Sequence, residues 1–193
     1  MLITGPDTPV LFTRRLKLRP AADTDVPEMV RLAGDKKVAT RTAHIPYPYS
    51  LEAGEAWFAA RQAEHDTGYE MLFAVERRAD AALLGAVGLI VDSANGEAEV
   101  GYWLGVPYWR EGFMSEALGE ALRYAFEDIG LAAVSGGAFP DNAASLALQR
   151  KLGMTEAGRK IHPAPARGAP RDVLIMKITR EEWENRTGNR ESL

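Results

Sequence analysis

The chain has 193 residues, 46% hydrophobic and 26% charged, which suits one folded domain with a substantial core and argues against global disorder. Its 23 Lys and Arg against 27 Asp and Glu leave a formal charge of −4, which speaks against nucleic-acid binding through an overall basic surface. There is no cysteine, so disulfides, thiolate zinc sites and cysteine nucleophiles are excluded.

The start, MLITGPDTPV, lacks the basic and apolar regions of a signal peptide. The longest apolar stretch, Ala81 to Val91, is too short to cross a bilayer. The expectation is a cytoplasmic protein without membrane or nucleic-acid partners.

In FTRRLKLRP, Leu16 and Leu18 alternate with Arg15, Lys17 and Arg19, which predicts a half-buried strand ended by Pro20. A helix follows over AADTDVPEMVRLAGD, with Asp25 as cap, Pro27 in the first turn and Gly34 as stop. VATRTAHIPYPYS has no period and reads as a surface loop, after which Ser50 caps a helix over LEAGEAWFAARQAEHD. YEMLFAVER, LLGAVGLIVD and EAEVGYWLGV, joined by short turns, predict a three-strand antiparallel meander.

SEALGEALRYAFEDIG then carries Ala117, Leu118, Ala121, Leu122, Ala125 and Ile129 at helical spacing. AAVSGGAF reads as a strand, PDNAASLALQRKLG as a helix stopped by Gly153, and MTEAGR as a short strand. IHPAPARGAPR reads as a Pro/Gly-rich loop and DVLIMKI as the last strand. The order predicts one α+β, or mixed α/β, domain over 1–193, with helices on a mainly antiparallel sheet.

The stretch YWREGFMSEAL, from Tyr108 to Leu118, joins a strand to a helix through one glycine. Helix-start N–H groups favour an anion, and Gly112 lets the backbone approach one closely. Every helix start offers such groups, so an ordinary turn is the favoured reading of the stretch taken alone. No GxGxxG and no GxxxxGK[ST] occurs, which leaves dinucleotide-fold and kinase-like readings without support. The histidines His44, His65 and His162 stand far apart in sequence with no metal-ligand spacing, and no metal is expected.

LGVPYWREGFMSEAL resembles the acetyl-CoA-binding segment of the GNAT N-acetyltransferases, whose pattern is Arg/Gln-x-x-Gly-x-Gly/Ala after a central strand. Gly112 matches, while Trp109 and Met114 depart from it in the manner of the RimJ/RimL-like branch. TRRLKLRPAADTD, HIPYPYSLEAGEAWF, LLGAVGL, AEVGYWL, PDNAASLALQRKLGMTEAG and RDVLIMKITREEW resemble that branch's other segments in the right order. The resemblance implies a twisted sheet of about seven strands with splayed central strands, and acetyl-CoA as acetyl donor.

It also implies site residues. The backbone of Arg110, Glu111, Gly112, Phe113, Met114 and Ser115 would take the pyrophosphate. Leu104, Gly105, Val106 and Asn142 would take the pantetheine arm. Ser145 would lie near the sulfur as proton donor, and His44, Tyr49, Trp57 and Tyr102 would shape the acceptor pocket.

Acyl transfer to an amine needs the neutral amine, a stabilised oxyanion and a proton for the thiolate. Glu99 is the candidate base, on a strand where alternation would set Glu97, Glu99 and Gly101 opposite Val100 and Tyr102. A solvated Glu after the SANG turn is the other reading of it. Asn142 and Ser145, three apart at a helix start, equally suit a helix cap.

The expected reaction is transfer from acetyl-CoA to a primary amine, a peptide N-terminus or a small amine such as an amino acid, polyamine or amino sugar. A non-catalytic acyl-CoA-binding or regulatory module is the alternative. Oligomeric state, a homodimer included, stays open.

Overall fold

The computed structural model describes residues 8–66 and 70–188, with the backbone alone for residues 61–66. Eight strands form one open sheet in the order β1-β2-β3-β4-β5-β6-β8-β7. They are β1 (Leu11–Phe12), β2 (Leu16–Pro20), β3 (Glu70–Arg77), β4 (Leu83–Asp92), β5 (Glu97–Leu104), β6 (Ala133–Ala138), β7 (Thr155–His162) and β8 (Arg171–Thr179). The helices are α1 (Val26–Ala33), α2 (Lys36–Ala39), α3 (Leu51–Asp66), α4 (Phe113–Arg123), α5 (Ala143–Lys151) and α6 (Arg180–Gly188). Strands β3, β4 and β5 are the predicted meander, and every neighbouring pair is antiparallel except β5 with β6.

The pleat sorts the core. Leu16, Leu18, Phe73, Val75, Val87, Leu89, Ala98 and Val100 bury against Ala117, Leu118, Ala121 and Leu122 of α4, with Leu146 of α5 and Trp183 of α6. Met29 of α1 packs on the opposite face with Ala74, Leu83 and Ala86, and Trp103 leans on it. Removing a fully buried leucine such as Leu118 would cost about 2–5 kcal/mol through lost transfer and a residual cavity. No described helix is long and apolar enough to cross a membrane.

Several local expectations change. The sheet has eight strands, because a two-residue β1 pairs with β2. The Asp25 side chain does not cap α1; it accepts from the Ala22 N–H and the Arg19 guanidinium instead. The loop after α1 contains the short α2, capped by Asp35. The helix after Gly112 begins at Phe113 and passes into a π-helical turn from Tyr124 to Ile129. The loop expected over 161–171 is shorter, since β7 runs to His162 and β8 begins at Arg171. As an edge strand, β7 is almost wholly exposed and carries no alternation to read. Helix α6 was not expected, because it buries only Trp183 and has no apolar stripe.

One long-range ion pair fixes the approach to α4. Glu116 accepts from Thr13 Oγ1 at 2.6 Å, the Arg15 N–H at 2.8 Å and Arg15 Nε at 2.7 Å. The same guanidinium donates to the Glu111 carbonyl at 2.9 Å and lies 4.4 Å from the Phe113 ring centroid. Burial raises the Glu116 carboxyl, but these bonds together hold it below the usual glutamate range. The stabilisation is therefore complete above that range and lost as pH falls through the depressed folded value. Glu116→Gln should lower stability at pH 7 by about 1–2 kcal/mol. In thermal melts its gap from the parent should close in acid; a gap independent of pH would contradict this assignment.

Candidate active site

Strands β5 and β6 pair only from Glu97–Ala133 to Val100–Gly136. Beyond that, Gly101 to Leu104 continue to pair with β4, while Gly137 and Ala138 continue with β8. The two central strands thus part, and their facing backbone edges no longer pair with each other. At the apex a Cβ on Gly136 would stand 3.2 Å from the Val100 carbonyl oxygen, so glycine permits the close approach there.

The loop after β5 runs from the opening of this cleft to α4. Its turn Val106–Tyr108 is 3₁₀-helical, and Trp109 Nε1 donates to the Leu104 carbonyl at 2.6 Å. Gly105 is buried against Leu32, and its N–H donates to the Leu84 carbonyl. Leu104 and Val106 are half-buried beside it. Arg110 and Gly112 both adopt left-handed backbone, with φ of 65° and 78°. Gly112 ends the loop as the N-cap of α4, and no side chain caps the helix. The N–H groups of Phe113, Met114 and Ser115 therefore have no intrahelical partner, as at any helix start.

The loop residues divide by role. Phe113 and Met114 are core residues, while Arg110, Glu111 and Gly112 are exposed and Ser115 is half-buried. Glu116, turned towards Thr13 and Arg15, does not oppose an anion at the loop.

On the α5 side of the sheet, Tyr102 hydroxyl lies 2.8 Å from Ser145 Oγ. Gln149 Nε2 donates to both, at 3.0 Å and 3.2 Å. Gln149 is fully buried and its Oε1 has no partner. Burial raises the Tyr102 hydroxyl above its ordinary pKa, against the opposing pull of Ser145 and Gln149. Gln149 carried no sequence signal beyond its spacing of four from Ser145. Asn142 caps α5 through the Ser145 N–H at 3.3 Å and also donates to the Arg41 carbonyl at 3.4 Å.

The other face carries Glu99. Its carboxylate meets Lys160 Nζ of β7 at 2.9 Å, and Glu97 meets Lys177 in parallel. Two residues beyond Lys160, the His162 ring packs edge-on against His44, 5.3 Å between centroids. Burial lowers the His162 pKa and Lys160 adds to this, while Glu99 partly offsets it. Its Nδ1 is buried without a partner. His44 and His162, distant in sequence, are thus neighbours, and the sequence offered no signal that would have joined them. The side chain of His65 lies outside the described residues. Among the described residues, no group of three or more His, Asp or Glu could hold a metal ion.

The acceptor-side candidates separate. His44 stands near Lys160 and Glu99 through His162, and Tyr102 lies on the opposite face with Ser145. Tyr49 packs over Gly34 and Gly54, between α1 and α3, and Trp57 is half-buried on α3.

Comparison with known proteins agrees with this architecture. The family described as "Acetyltransferase (GNAT) domain" matches residues 15–155. An uncharacterised N-acetyltransferase of Bacillus subtilis, YoaA, is 28% identical over 173 residues, covering 89% of this chain and 97% of its own. Among solved structures, Mycobacterium smegmatis RimJ in complex with CoA-disulfide superposes with TM-score 0.76 at 22% identity, over 86% of this chain and 83% of that one. Spermidine N-acetyltransferase from Vibrio cholerae, in complex with CoA and spermine, superposes with TM-score 0.75 at 22% identity, over 89% and 99%. At that identity the two structures speak for the fold, whereas the family match spans most of the chain. The cleft between β5 and β6, the loop at Gly112 and the family match converge: this chain belongs to the GNAT acetyltransferase family and is an acyltransferase.

Proposed function

We propose that this chain passes an acetyl group from acetyl-CoA directly to a primary amine, with donor and acceptor bound together. The observation that carries this reading is the parting of β5 and β6 beside a helix start whose N–H groups lack intrahelical partners. The residues present fit the donor. Left-handed backbone at Arg110 and Gly112 is of the kind found in anion-binding nests, and α4 would add its positive end for the pyrophosphate. The backbone from Leu104 to Val106 and the Asn142 carboxamide would border the pantetheine arm. The orphaned Gln149 Oε1 sits behind the apex, 3.5 Å from where a Gly136 Cβ would be.

When bound, acetyl-CoA supplies an acyl group activated as a thioester. Glu99 would take the amine proton, directly or through a water, while Lys160 holds its carboxylate in place. Ser145 would donate towards the sulfur. Hydrogen counting allows this where Tyr102 donates to Ser145: the two Gln149 Nε2 hydrogens reach Tyr102 and Ser145, and one hydroxyl hydrogen joins those two oxygens. One hydroxyl hydrogen is left over for a further acceptor. No cysteine exists, so an acetyl-cysteine intermediate is excluded, in keeping with direct transfer. A protein N-terminal amine heads the acceptor classes by analogy with the similar ribosomal-protein acetyltransferases, such as the RimL L7/L12 α-N-protein acetyltransferase.

Thiol release from acetyl-CoA should be measured across peptides, amino acids, polyamines and aminoglycosides. Turnover with at least one amine is expected; a folded protein that binds acetyl-CoA yet releases no thiol with any would be a binding module. Glu99→Gln should lower kcat on the order of 100-fold with unchanged acetyl-CoA affinity. Full turnover in that variant would remove the base role from Glu99.

A further inference from the structure

Next to the Glu99 face lies a cavity of about 390 Å³ lined by Thr40, Arg41, Asp141, Arg167 and Arg171. Three arginines against one aspartate leave it with a surplus of two positive charges. The three arginines are not equivalent. Arg167 is fixed: it donates to both Asp141 oxygens at 2.7 Å and 3.0 Å and to the Thr40 carbonyl at 2.6 Å. Its guanidinium also lies 4.1 Å from the Phe139 ring centroid. Arg167 and Asp141 thus form a wall that ties the β7–β8 connection to the end of α2 and the start of α5.

Arg41 and Arg171 are different. Arg41 donates to the Lys37 carbonyl and rests over the Trp109 ring, 5.2 Å from its centroid. Neither it nor Arg171 forms a close ion pair with a carboxylate among the described residues, although Asp141 attracts Arg41 through space, and the Arg171 side chain makes no hydrogen bond there. Both residues are exposed, so water screens their charges, and an anion entering the recess would be attracted by the two guanidinium groups together. A planar fork of N–H donors suits carboxylate or phosphate oxygens above all.

The register connects this recess to the candidate base. Arg171 is the cross-strand partner of His162, and Lys160, which holds Glu99, stands two residues back on β7. Two residues of strand span roughly 7 Å. That step separates Lys160 from His162, and an acceptor extended along it from Glu99 would enter the recess at Arg171.

We propose that the acceptor amine carries an oxyanion, carboxylate or phosphate, which Arg41 and Arg171 bind while the amine meets Glu99. This rests on the acetyl-transfer reading and narrows its acceptor to an amino acid, an acidic N-terminal peptide or a phosphorylated amine. A polyamine would meet two unpaired cations here, although the spermidine N-acetyltransferase of Vibrio cholerae has a similar fold.

The test starts from acetyl-CoA-saturated protein, in which the donor's own phosphate sites are filled. Inorganic phosphate and glutarate are titrated in and followed by calorimetry, with the parent and with Arg41→Gln/Arg171→Gln. Saturable binding of one or both ions, weakened at least tenfold in the double variant, is expected, with acetyl-CoA affinity unchanged. The ion that binds tells carboxylate from phosphate. Absence of saturable binding, or equal binding in the variant, would overturn the proposal. Loss of acetyl-CoA affinity in the variant would also overturn it, by assigning the recess to the donor. Failure of the parent to bind acetyl-CoA at all would instead strike at the acetyl-transfer reading.

A kinetic arm compares an α-amino acid with its amide, phosphoethanolamine with ethanolamine, and spermidine. The anionic member of a pair that is turned over should have at least tenfold higher kcat/KM, and that advantage should vanish in the double variant. Preference for spermidine or for the neutral members would contradict the proposal. Where no member is turned over, the ion titration decides.

Discussion

Everything in this molecule that bears on chemistry depends on two strands that stop pairing. From Gly101 onward β5 stays with β4, while β6 beyond Gly136 stays with β8. Backbone polar groups in the middle of a sheet are costly to leave without partners. A parting there makes sense where another extended, amide-bearing chain is to take the place of the missing strand, and a pantetheine arm is such a chain. The rest of the fold holds the parting open at the correct place: the close approach at Gly136, the loop that returns to α4 over Leu32 and Leu84, and the Arg15–Glu116 clamp beneath that loop.

The cleft also separates two chemical environments. On the α5 side, half-buried Tyr102 and Ser145 and buried Gln149 form a neutral network suited to donating a hydrogen bond. On the other face, Glu99, Lys160 and His162 are charged or polar, and Arg171 of the arginine-lined recess is the cross-strand partner of His162. A thioester whose sulfur faces the first and whose carbonyl carbon faces the second would have its leaving group and its nucleophile served by different sides of the sheet. Such a division lets a proton acceptor and a proton donor coexist without neutralising each other.

Much of this was legible in the residues. Apolar periods placed β3 and α4, the continuous apolar run of β4 marked a strand buried on both faces, and α5 was bounded by its start at PDN and its stop at Gly153. Ser50 and Asn142 revealed their helix starts through local hydrogen-bond chemistry, which acts within three residues. Asp25 did not cap, because Arg19 competes for the same carboxylate from β2. What stayed hidden is long-range or edge-bound: Glu116 with Arg15, Glu99 with Lys160, and the His44–His162 contact join segments far apart in sequence. Strand β7 was expected over MTEAGR, but its extension to His162 at the exposed sheet edge left no period, and neither did α6, anchored by Trp183 alone. The loop at Gly112 is intermediate. Its composition alone suits an ordinary turn, and only its place beside the parted strands gives the left-handed Gly112 a use.

Titration of acetyl-CoA into the purified chain, followed by calorimetry beside Gly112→Val, tests the central claim most directly. Valine at a φ of 78° is strained and would turn the loop N–H groups away, so a circular dichroism melt must accompany the binding data. The account predicts one saturable site in the parent and at least tenfold weaker binding in the folded variant. No binding by a well-folded parent, or equal affinity in the two, would contradict it.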